Sequence, residues 1–340
     1  MPDVSTKGQY ARPDSGTARH KVRFAALVLL SIFLFSLQGV AVHWIAVQGN
    51  PSMAVGQPVV DANGVRYYPV RSIHEGSQEQ TIRVLEPTDP APGEPRRFLY
   101  VLPVDARVDT LKSTWGDGLE ELRVMNVPNR YNMTLIAPSF DYEPWYGDNV
   151  NDEARRMESF IVDDVVPFGD SFARNGEKPQ RLLVGFSKSG NGVLFLILRH
   201  PEIFAAAAAF DCPAEVRSLS AYSALQMNFG TQENYERYNI PSLISTHGDG
   251  LRSRNRLWIS GEHGIFSADM IRLNHQLTEA SIPHTWVPGG LWAHRWDGAW
   301  LGEAVAGLDA DTRGTTRADN AVSAAPLTGR PVESQAGSLE

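Results

Sequence analysis

The chain has 340 residues, of which 42% are hydrophobic and 21% charged, enough apolar material to bury one large core. Its formal net charge of −8 gives no general attraction to nucleic acid, which is not expected as a partner. Cys212 is the single cysteine, so an intrachain disulfide is excluded.

Residues 1–23 are polar and predict a disordered tail that ends in Arg19, His20, Lys21 and Arg23. From Phe24 to Val47 no residue is charged, and a helix of that length spans a hydrocarbon core of about 30 Å. The basic flank predicts the N-terminus inside and the bulk of the chain outside. Gly39-Val40-Ala41 offers the competing reading of a cleaved signal peptide and a secreted protein. One domain is then expected over residues 48–310, followed by a disordered tail over 311–340. Within the domain Val65–Ser72, Gln80–Leu85, Arg97–Pro103 and Met133–Ala137 read as strands, with Gly118–Val127 helical between the last two. Glu153–Val166 reads as an amphipathic helix and Arg181–Val184 as a buried strand. Ala205–Phe210 and Leu257–Ser260 follow as strands on either side of a helical region reaching Tyr238. Ser267–Ala280 reads as a helix, Thr285–Val287 as the last strand and Asp297–Leu308 as the last helix. Alternation at this spacing predicts an α/β fold with a mostly parallel central sheet and helices on both faces.

Gly185-Phe186-Ser187-Lys188-Ser189-Gly190 stands between the apolar run Arg181–Val184 and a helical stretch. A serine on such a strand-to-helix turn is held in a strained conformation with its hydroxyl raised above the sheet, and its neighbours two before and two after must be small. Gly185 and Ser189 meet that condition, with serine where glycine is usual. The competing reading is a small-residue turn that only packs. A serine hydroxyl needs a base, usually a histidine oriented by a carboxylate, in the chain order serine, acid, histidine. His294 follows the last predicted strand in a glycine-marked loop, Pro288 to Trp296, and is the candidate base. Two carboxylates compete for the acid. Asp211 ends the Ala205–Phe210 strand, and Glu262 follows the Leu257–Ser260 strand. At the position where an aspartate often sits after that strand, this chain has Gly264. One oxyanion donor is expected at the Lys188 backbone N–H and the other in the loop Val104–Arg107. The Lys188 side chain is expected to be solvated, and Glu158 to anchor its helix. No His/Cys/Asp/Glu spacing suggests a metal, and neither metal nor cofactor is expected.

The stretch from about Tyr100 to Trp300 resembles the putative-esterase family of α/β-hydrolases, which includes esterase D, feruloyl esterases and mycolyltransferases. The resemblance rests on Leu102-Pro103-Val104-Asp105-Ala106-Arg107, Ala137-Pro138-Ser139-Phe140, Met157-Glu158-Ser159-Phe160-Ile161 with Val165-Val166-Pro167, His200-Pro201-Glu202-Ile203-Phe204 and His294-Arg295-Trp296. It implies Ala106 as the second oxyanion donor and places Trp145, Tyr146 and Asp148 in an aromatic loop beside the site, where they serve either as substrate contacts or as packing. Leu291-Trp292-Ala293 depart from the family by intervening between the glycine pair and His294. The expected function is a membrane-anchored serine esterase acting outside the cytoplasmic membrane on a small-molecule, glycan or lipid ester. The alternatives are acyl transfer to a sugar or lipid alcohol, and a hydrolase-like binding protein without turnover.

Overall fold

The computed structural model describes residues 45–47, 50–91, 94, 96–107, 113–174 and 178–313. Eleven strands form a single sheet: β1 (Ile45–Val47), β2 (Asn50–Val55), β3 (Val59–Val60), β4 (Arg66–Ser72), β5 (Glu79–Leu85), β6 (Arg97–Val101), β7 (Met133–Pro138), β8 (Gln180–Phe186), β9 (Ala206–Phe210), β10 (Leu257–Ser260) and β11 (Thr285–Val287). Their order is β1-β2-β4-β5-β7-β6-β8-β9-β10-β11, with β3 beside β4. From β7 to β11 every pairing is parallel, whereas β1 to β5, and β5 against β7, pair antiparallel. This is the α/β-hydrolase-like sheet expected from the sequence, extended at one edge by β1 to β3.

The parallel strands are apolar on both faces because helices cover both. Alternation with a period of two divides them. Tyr100, Leu183 and Ala207 belong to one core cluster, while Leu99, Val101, Leu182 and Val184 belong to the other. Helices α1 (Gly118–Val124), α2 (Val127–Tyr131) and the C-terminal α10 supply the second cluster through Leu119, Leu122, Val127 and Leu301. Helices α3 (Met157–Ser159) and α4 (Val166–Asp170), α5 (Ser187–Arg199), α6 (Ser223–Phe229), α7 (Gln232–Tyr235), α8 (Ile240–His247) and α9 (Ser267–Glu279) pack in the first; α10 spans Trp300–Arg313. The alanine run of β9 leaves room for α5 on one face and α10 on the other.

Several boundaries differ from the sequence reading. The amphipathic segment predicted from Glu153 begins its helix at Met157 and widens into a π turn over Phe160–Val165 between α3 and α4. In that turn the fully buried Asp164 accepts hydrogen bonds from the Ser52 and Ser72 hydroxyls of β2 and β4. Helix α10 continues to Arg313, past the predicted domain end at residue 310. Of the predicted membrane span, Ile45–Val47 form β1 and the remaining residues lie outside those described, as do both predicted tails apart from 311–313. Among the described residues no helix is long and apolar enough to cross a membrane.

Glu158 anchors its helix as expected. It accepts hydrogen bonds from Arg199 Nε at 2.6 Å and Tyr238 Oη at 2.7 Å, and lies 2.7 Å from His200 Nε2. Burial alone would raise this carboxyl, but the bonds from His200 and Arg199 and the guanidinium charge outweigh it and hold it at about 2. The network fastens the C-terminal end of α5.

Candidate active site

Strand register brings the chemistry to one edge. Phe186 of β8 pairs with Phe210 of β9, and Phe210 pairs with Ser260 of β10. The residues immediately beyond, Ser187, Asp211 and Gly261, therefore stand side by side at the carboxyl ends of the strands, where open α/β sheets assemble their sites. The ladder continues past the strands: Ser187 N donates to Asp211 O at 3.2 Å and Asp211 N to Ser260 O at 2.9 Å.

Ser187 opens α5 with φ of 52°, in the left-handed region that costs a residue with a side chain about 1–3 kcal/mol. Its surroundings enforce that turn. A Cβ on Gly185 would lie 2.6 Å from the Ser189 carbonyl oxygen, and one on Gly190 would lie 2.8 Å from Cys212 Cβ. Ser189 takes the place of the usual glycine without penalty because its hydroxyl folds back: it accepts from Phe186 N at 3.1 Å and donates to Phe186 O at 2.9 Å.

Asp211 is fully buried, also with positive φ, 40°. Its Oδ2 is 2.6 Å from His294 Nδ1 and accepts from Ile265 N at 2.8 Å, while Oδ1 accepts from Phe266 N at 2.7 Å. Hydrogen bonds to a charged acceptor contribute about 1.5–3 kcal/mol each, so a buried carboxylate with these three partners is well compensated. With Nδ1 donating to Asp211, the His294 Nε2 is left as the acceptor. The imidazole is packed edge-on by Phe186 at 5.0 Å and Trp115 at 5.4 Å, and by Phe266 at 5.8 Å. Phe186 directly precedes Ser187, which places the imidazole next to the elbow.

Of the two rival acids, Asp211 is thus the one joined to His294. Glu262 is half-buried in the turn closed by the Gly264 N to Gly261 O bond at 3.0 Å. Gly264, noted in the sequence as a missing aspartate, explains the choice. A Cβ there would fall 2.1 Å from Asp211 Cγ, so the glycine is the space the Asp211 carboxylate occupies. The Ile265 and Phe266 amides that hold the carboxylate carry no side-chain signature and were not foreseen; the glycine was the available signal.

Lys188 and Ala106, the two candidate oxyanion donors, lie at the start of α5 and in the turn after β6. The Lys188 side chain is not merely solvated as expected: its ammonium is 2.6 Å from Glu143 Oε1. Of the two readings of the aromatic loop, the structure shows the packing. Trp145 and Tyr146 are buried, Tyr146 donating its hydroxyl to Pro103 O and lying against Gly192, where a Cβ would meet its ring at 2.3 Å. Asp148 accepts from Ser159 N at 3.0 Å and Ser159 Oγ at 2.5 Å and pairs with Arg156 at 3.4 Å. Trp145 packs instead toward α6, through Asn228 and the Tyr222 ring, and all three present little surface to a ligand. Among the described residues no group of His, Cys, Asp and Glu is placed to hold a metal ion. A cleft of about 1030 Å³ between Arg181, Arg254 and Arg256 opens at the amino ends of β8 to β10, the far end of the strands from Ser187.

Comparison with known proteins bears on the fold that carries this geometry. The sequence pattern of the family described as putative esterase matches residues 137–301, from β7 into α10. The resemblance read from the sequence is met there, while the loop bearing Ala106 precedes the matched stretch. No curated protein matches the chain by sequence. Among solved structures, an S-formylglutathione hydrolase from Agrobacterium tumefaciens aligns at 16% identity and TM-score 0.53, covering 80% of this chain and 98% of its own. The fluorophosphonate-binding serine hydrolase FphF of Staphylococcus aureus aligns at 14% and 0.53, covering 74% and 98%. A ferulic acid esterase aligns at 16% and 0.52, covering 70% and 93%. At such identities these structures establish the fold.

Proposed function

We propose that this chain is a serine esterase of the α/β-hydrolase fold that cleaves a carboxylic ester through an acyl-enzyme on Ser187. The observation that carries the reading is the pairing of the buried Asp211 with His294 at 2.6 Å beside a serine held at left-handed φ on the strand-to-helix turn. Ser187 Oγ attacks the acyl carbon as His294 Nε2 takes its proton, and Asp211 stabilises the imidazolium that forms. The N–H groups of Lys188 and Ala106 hold the oxyanion. The C–O bond to the alcohol then breaks, His294 returns the proton to the leaving oxygen, and a water activated by the same imidazole releases the acid. The family match over residues 137–301 supports ester chemistry.

The test is covalent capture of the full chain by a fluorophosphonate followed by peptide mapping. Stoichiometric label on Ser187 is expected. Unlabelled, folded protein would instead identify a hydrolase-like binder. In a second arm an activated ester is supplied with and without an alcohol acceptor; free acid as the main product in both supports hydrolysis, and a transferred ester in the second turns the reading to acyltransferase.

The anchor is proposed on the sequence. With Ile45 already in β1, a spanning helix would occupy residues 24–44, about 30 Å long at 1.5 Å per residue, and the basic residues before it would leave the esterase outside the cytoplasmic membrane. Full-length protein should stay in the membrane pellet after alkaline washing. A soluble exported form whose N-terminus is Val42 would replace the anchor with a cleaved signal.

A further inference from the structure

Lys188 carries a charge that the mechanism above does not use. Its ammonium, on a side chain 18% exposed, lies 2.6 Å from Glu143 Oε1 and 4.0 Å from Asp105 Oδ1. Asp105 immediately precedes Ala106, and its other oxygen accepts the Ser113 hydroxyl at 2.5 Å. Glu143 belongs to the loop after β7, and its carbonyl accepts from Asn228 Nδ2 at 3.1 Å. The same loop receives Arg107 N at Phe140 O, 2.8 Å, and Arg107 Nε at Asp141 Oδ1, 3.1 Å. The Lys188 side chain therefore stands where three loops meet: the nucleophile turn, the turn after β6 and the loop after β7.

The two oxyanion donors are on the first two of these loops. Each must come within about 2.7–3.1 Å of one developing oxygen, so the distance between them matters more than the placement of either alone. We propose that Lys188 is a positioning residue whose ammonium, held by Glu143 and Asp105, straps the loop carrying Ala106 to the nucleophile turn and fixes the spacing of the two donors. The inference rests on the reading of Ser187 as nucleophile and goes beyond it by assigning work to a side chain whose backbone alone the reaction requires. A partly exposed ion pair contributes little to stability. Its removal should therefore leave the fold intact and be felt in the rate, because catalysis is sensitive to small displacements of groups that act on one atom.

The experiment compares Lys188→Met, Lys188→Arg and Glu143→Gln with wild type for acylation rate, KM, melting temperature and extent of fluorophosphonate labelling. Lys188→Met and Glu143→Gln are each expected to slow acylation by a few-fold, up to about fivefold, the most that a pair of this strength can hold in place, with KM and melting temperature close to wild type. Labelling at Ser187 should be slower but still complete, and Lys188→Arg should recover most of the rate. Glu143→Gln keeps the ammonium and replaces the nearer of its two carboxylates by a neutral amide oxygen, which loosens its hold while leaving Asp105 in place, so it separates positioning from a direct effect of the charge on the oxyanion. Wild-type acylation in either Glu143→Gln or Lys188→Met overturns the proposal, as does a loss of rate that merely follows a loss of melting temperature. If Lys188→Met does not fold, Glu143→Gln decides alone. Failure of the wild type itself to label at Ser187 is a different result, which removes the esterase reading and this proposal with it.

Discussion

Ser187→Ala should lower kcat for an activated ester by about 10⁶-fold, as removal of a triad serine does when the remaining groups act only in concert with it. The fold should survive. The Ser187 hydroxyl caps no helix, since the turn is closed by Ser189 on Phe186, and the Ser187 backbone N–H keeps its bond to Asp211 O. Alanine at φ of 52° is strained to about the same degree as serine. Steady-state turnover with purified wild type and variant, alongside their melting curves, checks both halves. Substantial turnover by well-folded variant protein would remove Ser187 from the mechanism.

Asp211→Asn is expected to cost about 10⁴-fold in kcat, because an amide no longer enforces the tautomer that leaves His294 Nε2 free to accept. The geometry makes the exchange worse than a lost charge. Asp211 receives three N–H donors, from His294, Ile265 and Phe266, and an amide must turn its own NH₂ toward at least one of them. A buried donor facing a donor adds a stability loss of about 1–3 kcal/mol. Glu262→Gln should leave kcat near wild type. Gly264→Ala acts on the same carboxylate by sterics, since the added Cβ would overlap Asp211 Cγ, and its kcat should fall toward that of Asp211→Asn. Measuring the three variants on one ester ranks the acids. A larger loss for Glu262→Gln than for Asp211→Asn would move the acid to the turn after β10, and small losses for both would mean that another group orients His294.

The parts of this molecule that could be read from sequence are those whose pattern is imposed locally. Strands β6 to β9 are apolar on both faces because two helical layers cover them, so they stand out as short apolar runs. The elbow is legible because a strained serine needs Gly185 and a small residue at 189. The antiparallel strands β1 to β3 are not: β1 has three residues and β3 two, and Val59 and Val60 of β3 face solvent. The π turn at Phe160–Val165 leaves the helical spacing of its side chains nearly intact and so escapes notice. The acid was legible only as a pair of candidates, because the decisive fact, that Gly264 vacates the volume Asp211 fills, joins residues more than fifty positions apart. The Lys188–Glu143 pair is long-range in the same way, and an isolated lysine offers no hint of its partner.

The hydrogen bonds from Ser187 N to Asp211 O and from Asp211 N to Ser260 O have a consequence for how the molecule moves. They extend the sheet ladder by one rung, so nucleophile and acid belong to the cooperative core and separate only when the whole domain opens. His294 stands instead on a surface loop between β11 and α10, beside the fully solvated Leu291, and that loop has far fewer rungs to break. Amide protons at Ser187 and Asp211 are therefore expected to exchange on the timescale of global unfolding, and those around His294 sooner, which hydrogen-exchange mass spectrometry would read. Warming the protein short of its melting transition should withdraw the base while serine and carboxylate remain in register, so that activity lost that way is expected to return on cooling.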